Sequence, residues 1–308
     1  LASRAHLEKI GPTVKTVLLA SNVDGKKIDL IAVTLGPGLM PSLLVGVNFA
    51  RALAYKWQKP IIGVNHIEGH IYSNWLNKRA GEIRFPALIL IVSGGHTELV
   101  LMKNYGKYKI IGRTLDDAAG EAFDKTARLL GLGFPGGPAI AAQAKKFEKL
   151  KNISYKLKAD LPRPMINSKD YNFSFSGLKT AVLYLYNDLV KKYPISKIRP
   201  AVAFEVQNAI VDVLTAKTLK AVRNFNPKSV MIAGGVSANK KLREEMVSKL
   251  KSYEIPLFIP DLAYTTDNAA MIADAGYFNY LTYRQAGLKK KPNKNSWKKL
   301  KVDANLSL

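Results

Sequence analysis

Two apolar runs on either side of a glycine turn decide the fold class of this 308-residue chain. Residues 85–103 read FPALILIVSGGHTELVLMK. The runs Ala87 to Val92 and Glu98 to Lys103 are close enough to pair across Gly94-Gly95, which predicts a β-hairpin. Tyr108 to Arg113 predicts a third strand after it. The chain therefore contains an antiparallel sheet, to which the elements on either side of the hairpin are added.

Strands and helices alternate outward from the hairpin. On its N-terminal side we predict a helix at Ser3 to Ser21, a strand at Asp29 to Leu35, a helix at Pro41 to Gln58 and a buried strand at Pro60 to Asn65. On its C-terminal side we predict helices at Ala118 to Leu130, from Gly136, at Phe175 to Lys192, Arg199 to Phe225, Ala238 to Ser252 and Ala269 to Tyr283, with strands at Ser229 to Ala233 and Leu257 to Ile259. This alternation with one hairpin indicates an α/β fold with a mixed sheet.

Composition excludes several classes of protein. The chain contains no cysteine, so disulfides and thiolate metal sites are excluded, and this fits a reducing cytosol. Its longest strongly apolar run, Phe85 to Val92, is far too short to span a membrane. The first residues mix charged and apolar positions and do not form a signal peptide. We therefore expect a soluble, cytoplasmic protein without a membrane partner.

Charge is the strongest compositional feature. The 47 Lys and Arg residues against 23 Asp and Glu residues give a formal net charge of +24. This favours a polyanionic partner, nucleic acid before membrane, although lysine used as generic solvated surface explains the same excess. The densest run extends from Lys289 to Lys301, where Pro292 and asparagines interrupt any helix. We predict a flexible basic tail there.

A histidine pair directly follows the predicted strand Pro60 to Asn65. His66 and His70 are about one helical turn apart, so both imidazoles can bind one ion from the same helix face. The alternative is a helix start with two half-buried rings. Asp267 stands at the start of a later helix and is a candidate third ligand. Two imidazoles and one carboxylate suit Zn or Fe(II).

Two glycine turns are candidates for phosphate binding. Ser93-Gly94-Gly95 lies between two strands, and Gly234-Gly235 joins a strand to the helix predicted from Ala238, so that the helix N-terminus is directed at a ligand. Glycine pairs are also the ordinary way to make a tight turn. Four carboxylates surround the start of the helix predicted at Ala118 to Leu130: Asp116, Asp117, Glu121 and Asp124. The helix dipole explains the first two, whereas Asp124 can reach a ribose hydroxyl.

Seven motifs occur in one order along the chain. They are Asn65-His66-Ile67-Glu68-Gly69-His70, Val92-Ser93-Gly94-Gly95-His96-Thr97, Asp117 to Lys125, Phe134-Pro135-Gly136-Gly137-Pro138, Phe173 to Lys179, Gly234-Gly235-Val236-Ser237-Ala238-Asn239 and Thr266-Asp267-Asn268. With them the chain closely resembles the TsaD family, the tRNA N6-adenosine threonylcarbamoyltransferases, over nearly its whole length.

The resemblance implies a two-lobed actin-like or sugar-kinase-like ATPase fold with mixed sheets. The first lobe would cover residues 1–115 and the second residues 116–262. Residues 263–285 would form a helix that returns to the first lobe with a metal ligand, and residues 286–308 a basic C-terminal tail. Compared with the family, the chain lacks an N-terminal strand and hairpin and ends before a Pro-Arg-Trp-like tail. We therefore expect a fragment truncated at both ends, with its first lobe incomplete at the N-terminus.

The resemblance also implies an activity and its sites. The family moves a threonylcarbamoyl group from threonylcarbamoyl-AMP to N6 of the adenosine 3′ of the anticodon, in tRNAs that read codons beginning with A. His66, His70 and Asp267 would hold the metal, which the resemblance implies is iron(II), with zinc as the alternative. The adenylate would contact Ile91, Val92, Ser93, Gly94, Gly95, Asp124, Gly137 and Asn239. Expected partners are tRNA, a paralogous TsaB-like scaffold and a TsaE-like ATPase, and no general base can be named.

Two other functions remain as alternatives. A metalloprotease needs a glutamate adjacent to its first histidine. Glu68 instead lies two residues after His66, so a helix directs its carboxylate about 200° away from that ring. A non-catalytic scaffold from the same complex would not be expected to keep all three metal ligands. Fold alone does not choose among these functions.

Overall fold

A computed structural model describes residues 2–76, 82–150, 159–285 and 292–308. Contacts between residues divide the chain into two compact units. The first unit comprises Leu1–Arg79, Tyr105–Lys107 and Asp267–Leu308, and the second comprises Ala80–Asn104 and Tyr108–Thr266. The first unit is therefore discontinuous in sequence, because the whole of the second unit lies between its segments.

A two-stranded parallel sheet is the centre of the first unit. Its elements are α1 (Ala2–Ser21), β1 (Ile31–Gly36), α2 (Met40–Trp57), β2 (Ile61–Asn65), α3 (His66–Tyr72) and α9 (Ala269–Gln285). Ile31 of β1 pairs with Ile61 of β2, and Ala50 and Ala54 of α2 pack against Ile61. Helix α9 approaches the sheet closely, because a Cβ added to Gly276 would lie 2.6 Å from Cβ of Ala32. The sheet thus places the start of α3 near α9.

The second unit is built on a five-stranded mixed sheet with the order β5-β4-β3-β6-β7. Its strands are β3 (Ala87–Val92), β4 (Thr97–Asn104), β5 (Lys107–Arg113), β6 (Ser229–Ala233) and β7 (Leu257–Phe258). The central strand β3 runs antiparallel to β4 and parallel to β6. Every residue of β3 and β6 is buried, which explains their continuous apolar sequence. The predicted hairpin and mixed α/β fold are confirmed.

Helices cover this sheet and form most of the core with it. They are α4 (Ala119–Leu129), α5 (Gly136–Leu150), α6 (Ser176–Val190), α7 (Ile195–Phe225) and α8 (Lys240–Leu250). The 31-residue α7 buries apolar residues on several faces, including Val202, Ile210 and Leu214. It also buries Lys217, whose Nζ donates to the backbone carbonyl of Asp170 at 3.1 Å. A fully buried lysine needs such partners.

The structure differs from the predicted domain boundaries at the hairpin. The sequence assigned residues 87–113 to the first lobe, but β3 pairs with β6, and residues 80–104 and 108–266 belong to the second unit. The reason is non-local: β3 and β6 lie about 140 residues apart in sequence, and local patterns do not encode their pairing. The turn Tyr105–Lys107 alone joins the first unit.

The predicted flexible tail is also wrong for residues 292–308. Trp297 packs edge-on against Tyr55 of α2 with ring centroids 5.3 Å apart. Leu300 packs with Trp297 on the apolar cluster around Ile61. The backbone N–H of Asp303 donates to the carbonyl of Leu35 at 3.0 Å. These apolar and backbone contacts outweigh the lysine-rich composition; residues 286–291 of the predicted tail lie outside the described residues.

No helix in the described parts of the chain is long and apolar enough to cross a membrane.

Candidate functional site

The histidine pair is presented by a capped helix start. Strand β2 ends at Asn65, whose side-chain Oδ1 accepts a hydrogen bond from the backbone N–H of Ile67 at 2.8 Å. This cap starts α3 at His66 and satisfies one of its free N–H groups. The rings of His66 and His70 lie 4.8 Å apart at an interplanar angle of 76°. Both therefore occupy one face of α3.

Asp267 completes the group from the residues just before α9. The side-chain Oδ1 of Asn268 accepts from the backbone N–H of Met271 at 2.9 Å and so fixes the start of that helix. Oδ1 of Asp267 lies 3.3 Å from Nε2 of His66 and 3.3 Å from Nε2 of His70. Hydrogen bonds from His66 and then His70 hold the pKa of the Asp267 carboxyl well below its usual range. The predicted convergence of these three residues is confirmed.

The donor atoms of His66, His70 and Asp267 are close enough together to be candidate ligands of one divalent ion. One donor from each residue lies within 4.8 Å of the others. Two ligands bonded at about 2.1 Å to a tetrahedral ion are about 3.4 Å apart, which matches the two separations of 3.3 Å. His70 is 3% exposed, whereas the side chain of Asp267 is 78% exposed. The group thus has one buried side and one open side.

The open side faces a cavity of about 930 Å³ in the first unit. His66 and Asp267 line it together with residues of β1 and α9, among them Thr34 and Tyr277. An ion bound by the three residues would therefore keep room for further ligands. Such open positions distinguish catalytic metal sites from closed structural ones.

Glu68 does not belong to this group. Its Oε2 accepts a hydrogen bond from Nδ2 of Asn279 on α9 at 3.1 Å. The carboxylate therefore joins the two helices, as its position two residues after His66 suggests. This leaves the metalloprotease alternative without its general base.

In the second unit, the two glycine turns touch each other and the start of α4. The backbone N–H of Gly120 donates to the carbonyl of Ser93 at 3.1 Å. A Cβ added to Gly120 would lie 2.5 Å from that carbonyl oxygen. Gly234 has a φ of +88°, and its added Cβ would lie 2.4 Å from the carbonyl oxygen of Val92. Only glycine permits these approaches, which gather the ends of β3 and β6 with the start of α4.

The other glycines of these turns, and Gly137 in the first turn of α5, face open space. An added Cβ at Gly94, Gly95, Gly137 or Gly235 would meet no atom within 4 Å. The backbone at these positions is therefore accessible to a ligand from the side where a side chain would stand. Glycine backbone exposed near helix starts is a usual way to bind anions.

The polar side chains around the turns are engaged in the fold. Oδ1 of Asp124 accepts from the backbone N–H of Gly136 at 2.7 Å, at the start of α5. Asn239 caps α8 by accepting from the backbone N–H of Leu242 at 3.1 Å, and its Nδ2 donates to Oε1 of Gln207 at 3.1 Å. Helix α8 begins at Lys240, after a 3₁₀ turn, so the Gly234-Gly235 turn does not lead directly into it. Any contact of Asp124 or Asn239 with a ligand must share these groups.

Asp116 has a role that the sequence did not indicate. Its carboxylate accepts from the backbone N–H of Phe175 at 2.8 Å and of Ser176 at 3.2 Å, and from the hydroxyls of Ser174 and Ser176. Burial opposes ionisation, but these hydrogen bonds outweigh it and lower the pKa of the carboxyl. Asp116 thus holds the start of α6 from about 60 residues away. No pattern in the neighbouring sequence predicted the contacts of Gln207, Gly120 or Asn279.

Comparisons with known proteins indicate the family of this chain. The family model described as "TsaD: tRNA N6-adenosine threonylcarbamoyltransferase" matches residues 1–274. Proteins of that name from Caldicellulosiruptor saccharolyticus and Thermosipho africanus are 47% and 45% identical over 281 residues each. Each alignment covers 91% of this chain, with 80% and 81% of the respective relative. One from Dehalococcoides mccartyi is 46% identical over 94% of this chain and 82% of its own length.

Two solved structures share the fold at low sequence identity. Full-length HypF in a phosphate- and nucleotide-bound form gives a TM-score of 0.58 at 12% identity, covering 88% of this chain and 41% of that one. HypF from T. kodakarensis gives 0.59 at 15% identity, covering 87% and 42%. These likenesses support the expected α/β fold with mixed sheets. From the family match and the three relatives we conclude that the chain belongs to the tRNA N6-adenosine threonylcarbamoyltransferase (TsaD) family.

Proposed function

We propose that this protein transfers a threonylcarbamoyl group from threonylcarbamoyl-AMP to N6 of the adenosine 3′ of the anticodon in tRNAs that read codons beginning with A. Membership of the family supports the reaction class, that of an acyltransferase acting on tRNA. The observation that carries the proposal in this chain is the convergence of His66, His70 and Asp267. A protein that served only as a scaffold would not need three converging ligands beside an open cavity.

His66, His70 and Asp267 would hold one divalent ion, for which we propose iron(II), with zinc as the alternative. Both accept two imidazoles and a carboxylate. When bound, such an ion supplies Lewis-acid chemistry, which polarises a carbonyl or neutralises phosphate charge. The residues themselves fix where that charge is placed, because Asn65 and Asn268 cap the two helices that carry the ligands.

For the adenylate we propose contacts with Ile91 to Gly95, Asp124, Gly137 and Asn239. The open backbone at Gly94, Gly95 and Gly137 supports this proposal. Backbone N–H groups aimed at a phosphate stabilise the charge that gathers on the departing AMP. Asp124 would use its carboxylate for a ribose hydroxyl while still accepting from Gly136. The buried turn contacts described above hold these groups in place before the ligand arrives.

The remaining partners are proposed on charge and family. A net charge of +24 supports tRNA binding, and such binding weakens steeply with salt when lysines neutralise phosphates. We also propose a TsaB-like scaffold and a TsaE-like ATPase as protein partners, and the cytoplasm as the place of action.

The test combines metal binding with transfer. The chain is stripped of metal, reloaded with iron(II) or zinc, and given threonylcarbamoyl-AMP and tRNA with the partner subunits present. We expect one ion per chain and labelled tRNA, and we expect both to be lost in His66→Ala. His6→Ala is the matched control, since His6 lines the same cavity outside the group of ligands. Transfer that survives His66→Ala would contradict the metal role, and ion binding without any transfer would favour the scaffold.

A further inference from the structure

We infer that Glu68 and Asn279 are positioning residues for the metal ligands, which they orient by locking α3 against α9. This inference rests on the proposed metal role of His66, His70 and Asp267. The contact that carries it is the hydrogen bond of 3.1 Å from Nδ2 of Asn279 to Oε2 of Glu68. It joins the helix that presents both histidines to the helix that follows Asp267.

Helix α3 needs such a contact because it is short. It contains seven residues, and a helix of that length is not stable by itself. Its direction is therefore set by what it packs against. Two of its seven residues are the proposed ligands, so a small rotation of α3 moves both Nε2 atoms relative to Asp267. The geometry of the donor group depends on the α3–α9 contact.

The apolar part of that contact sets how close the two helices are. A Cβ added to Gly69 would lie 2.7 Å from Cδ1 of Ile272, so α9 packs directly on the backbone of α3. Tyr72 stacks on Phe278 with ring centroids 5.0 Å apart and an interplanar angle of 16°. Stacking and methyl contacts tolerate sliding, because dispersion attraction has little directionality.

The bond between Glu68 and Asn279 supplies the direction. A hydrogen bond weakens steeply when its angle or length changes, so it fixes one register of α3 along α9. Glu68 lies between the two histidines in sequence but on the other side of the helix. It can hold the helix without competing for the ion. Groups that orient metal ligands in this way typically change metal affinity 10–100-fold when they are removed.

The experiment measures zinc affinity by chelator competition, the d–d spectrum of the cobalt(II)-loaded protein, and thermal unfolding of the metal-free protein. We expect Glu68→Ala and Asn279→Ala each to weaken zinc binding about 10–100-fold and to change the cobalt spectrum. Glu68→Gln should bind zinc within a few-fold of the unmodified protein, because its amide oxygen accepts the same bond. Transfer activity should likewise persist in Glu68→Gln, whereas a general base would lose it.

A reversal of the bond gives the sharpest outcome. Asn279→Asp alone places two carboxylates against each other and should weaken zinc binding. Adding Glu68→Gln to Asn279→Asp restores a donor and an acceptor in reversed order, and should recover most of the affinity. Recovery remains measurable even if Glu68→Ala fails to fold. Thr282→Val is the matched control, since it removes one hydrogen bond within α9, to the carbonyl of Phe278, and should leave zinc affinity unchanged.

Three results separate the two proposals. Unchanged zinc affinity and spectrum in Glu68→Ala would overturn the positioning role while leaving the metal site intact. Equal losses in Glu68→Gln and Glu68→Ala would show that the charge of Glu68 matters instead of its bond, and would also overturn it. Failure of the unmodified protein to bind zinc or cobalt, or full binding by His66→Ala, would refute the metal site itself and the positioning role with it.

Discussion

The two units build their candidate sites from different chemical groups: the proposed metal group (His66, His70 and Asp267) uses side chains, and the glycine turns use backbone. In the first, side chains supply every donor, and the backbone only aims them. In the second, the side chains of Asp116, Asp124 and Asn239 already accept hydrogen bonds at helix starts. The backbone of the glycines is what remains accessible to a ligand. The first site should therefore be sensitive to chemical identity, and the second to the size of a side chain.

The largest effect should come from removing the carboxylate of the metal group. Asp267→Ala should abolish stoichiometric metal binding, because only two imidazoles remain. The metal-free fold should persist, since the Asp267 side chain is 78% exposed. Metal content per chain and the melting temperature of the metal-free protein measure the two effects. Asp29→Ala is the control, as Asp29 is an exposed carboxylate in the same cavity. Full metal occupancy in Asp267→Ala would contradict the claim that side-chain identity determines binding at the first site.

Two glycine substitutions test whether the size of a side chain matters at the glycine-rich site of the second unit. Gly120→Ala should destabilise the fold by about 1–3 kcal/mol or more, because its methyl group would meet the backbone of Ser93 at 2.5 Å. Gly137→Ala, in the first turn of α5, should keep or raise stability by up to about 1 kcal/mol while weakening adenylate binding. Denaturant unfolding and adenylate titration measure these effects. A Gly120→Ala protein of unchanged stability would show that the turns are not closely packed.

Asp274 on α9 carries a half-buried carboxyl whose ionisation should affect the stability of the protein. Oδ2 of Asp274 has no hydrogen-bond partner among the described residues, and burial raises the pKa of this carboxyl to about 6. The folded state then holds the proton more tightly than the unfolded chain, so stability falls as pH rises from about 4 to about 6. Asp274→Asn should stabilise the protein by about 1 kcal/mol at pH 7.5, with about 3 kcal/mol as the upper limit. No difference is expected near pH 3.5.

Unfolding of the unmodified protein and Asp274→Asn at the two pH values measures this effect. An equal difference at both would mean that the benefit comes from packing instead of ionisation.

The smallest effect on stability should come from removing the carboxylate of Asp116, which holds the start of α6. Asp116→Ala should cost about 1 kcal/mol, and at most about 2 kcal/mol, as other helix caps do. Because hydrogen bonds lower its folded-state pKa, the contribution of Asp116 is present above about pH 4 and is lost as pH falls through the lower folded value. Urea unfolding at pH 7 and pH 3 should therefore show a smaller difference at pH 3. A loss of transfer without a loss of stability would reassign Asp116 to the ligand.

Most elements of the fold, and the convergence of His66, His70 and Asp267, could be predicted from the sequence. Apolar periodicity located β3, α2 and α7 to within a few residues, because one element leaves its pattern in neighbouring residues. The convergence was predicted because His66 and His70 are one turn apart and Asp267 stands at a helix start. In each case the signal was local, and the family resemblance joined the local pieces.

The errors and omissions share one physical cause. The pairing of β3 with β6, the cap from Asp116 to α6 and the bond from Glu68 to Asn279 each join residues far apart in sequence. The lysine-rich tail was misread because Trp297 and Leu300 gain more from burial than the surrounding charges suggest. Such contacts exist only after the chain has folded, and no window of neighbouring residues contains them.

Because the proposed metal ligands lie far apart in sequence, a bound ion would also lower the conformational entropy of the unfolded chain. Asp267 follows His66 by about 200 residues, and the whole of the second unit lies between them in sequence. A bound ion would therefore close a very long loop, and links that close long loops remove the most freedom from an unfolded chain. Loading the ion should raise the unfolding temperature of the first unit well beyond the local contacts of three side chains. The ion would then cross-link the N-terminal and C-terminal segments of the first unit.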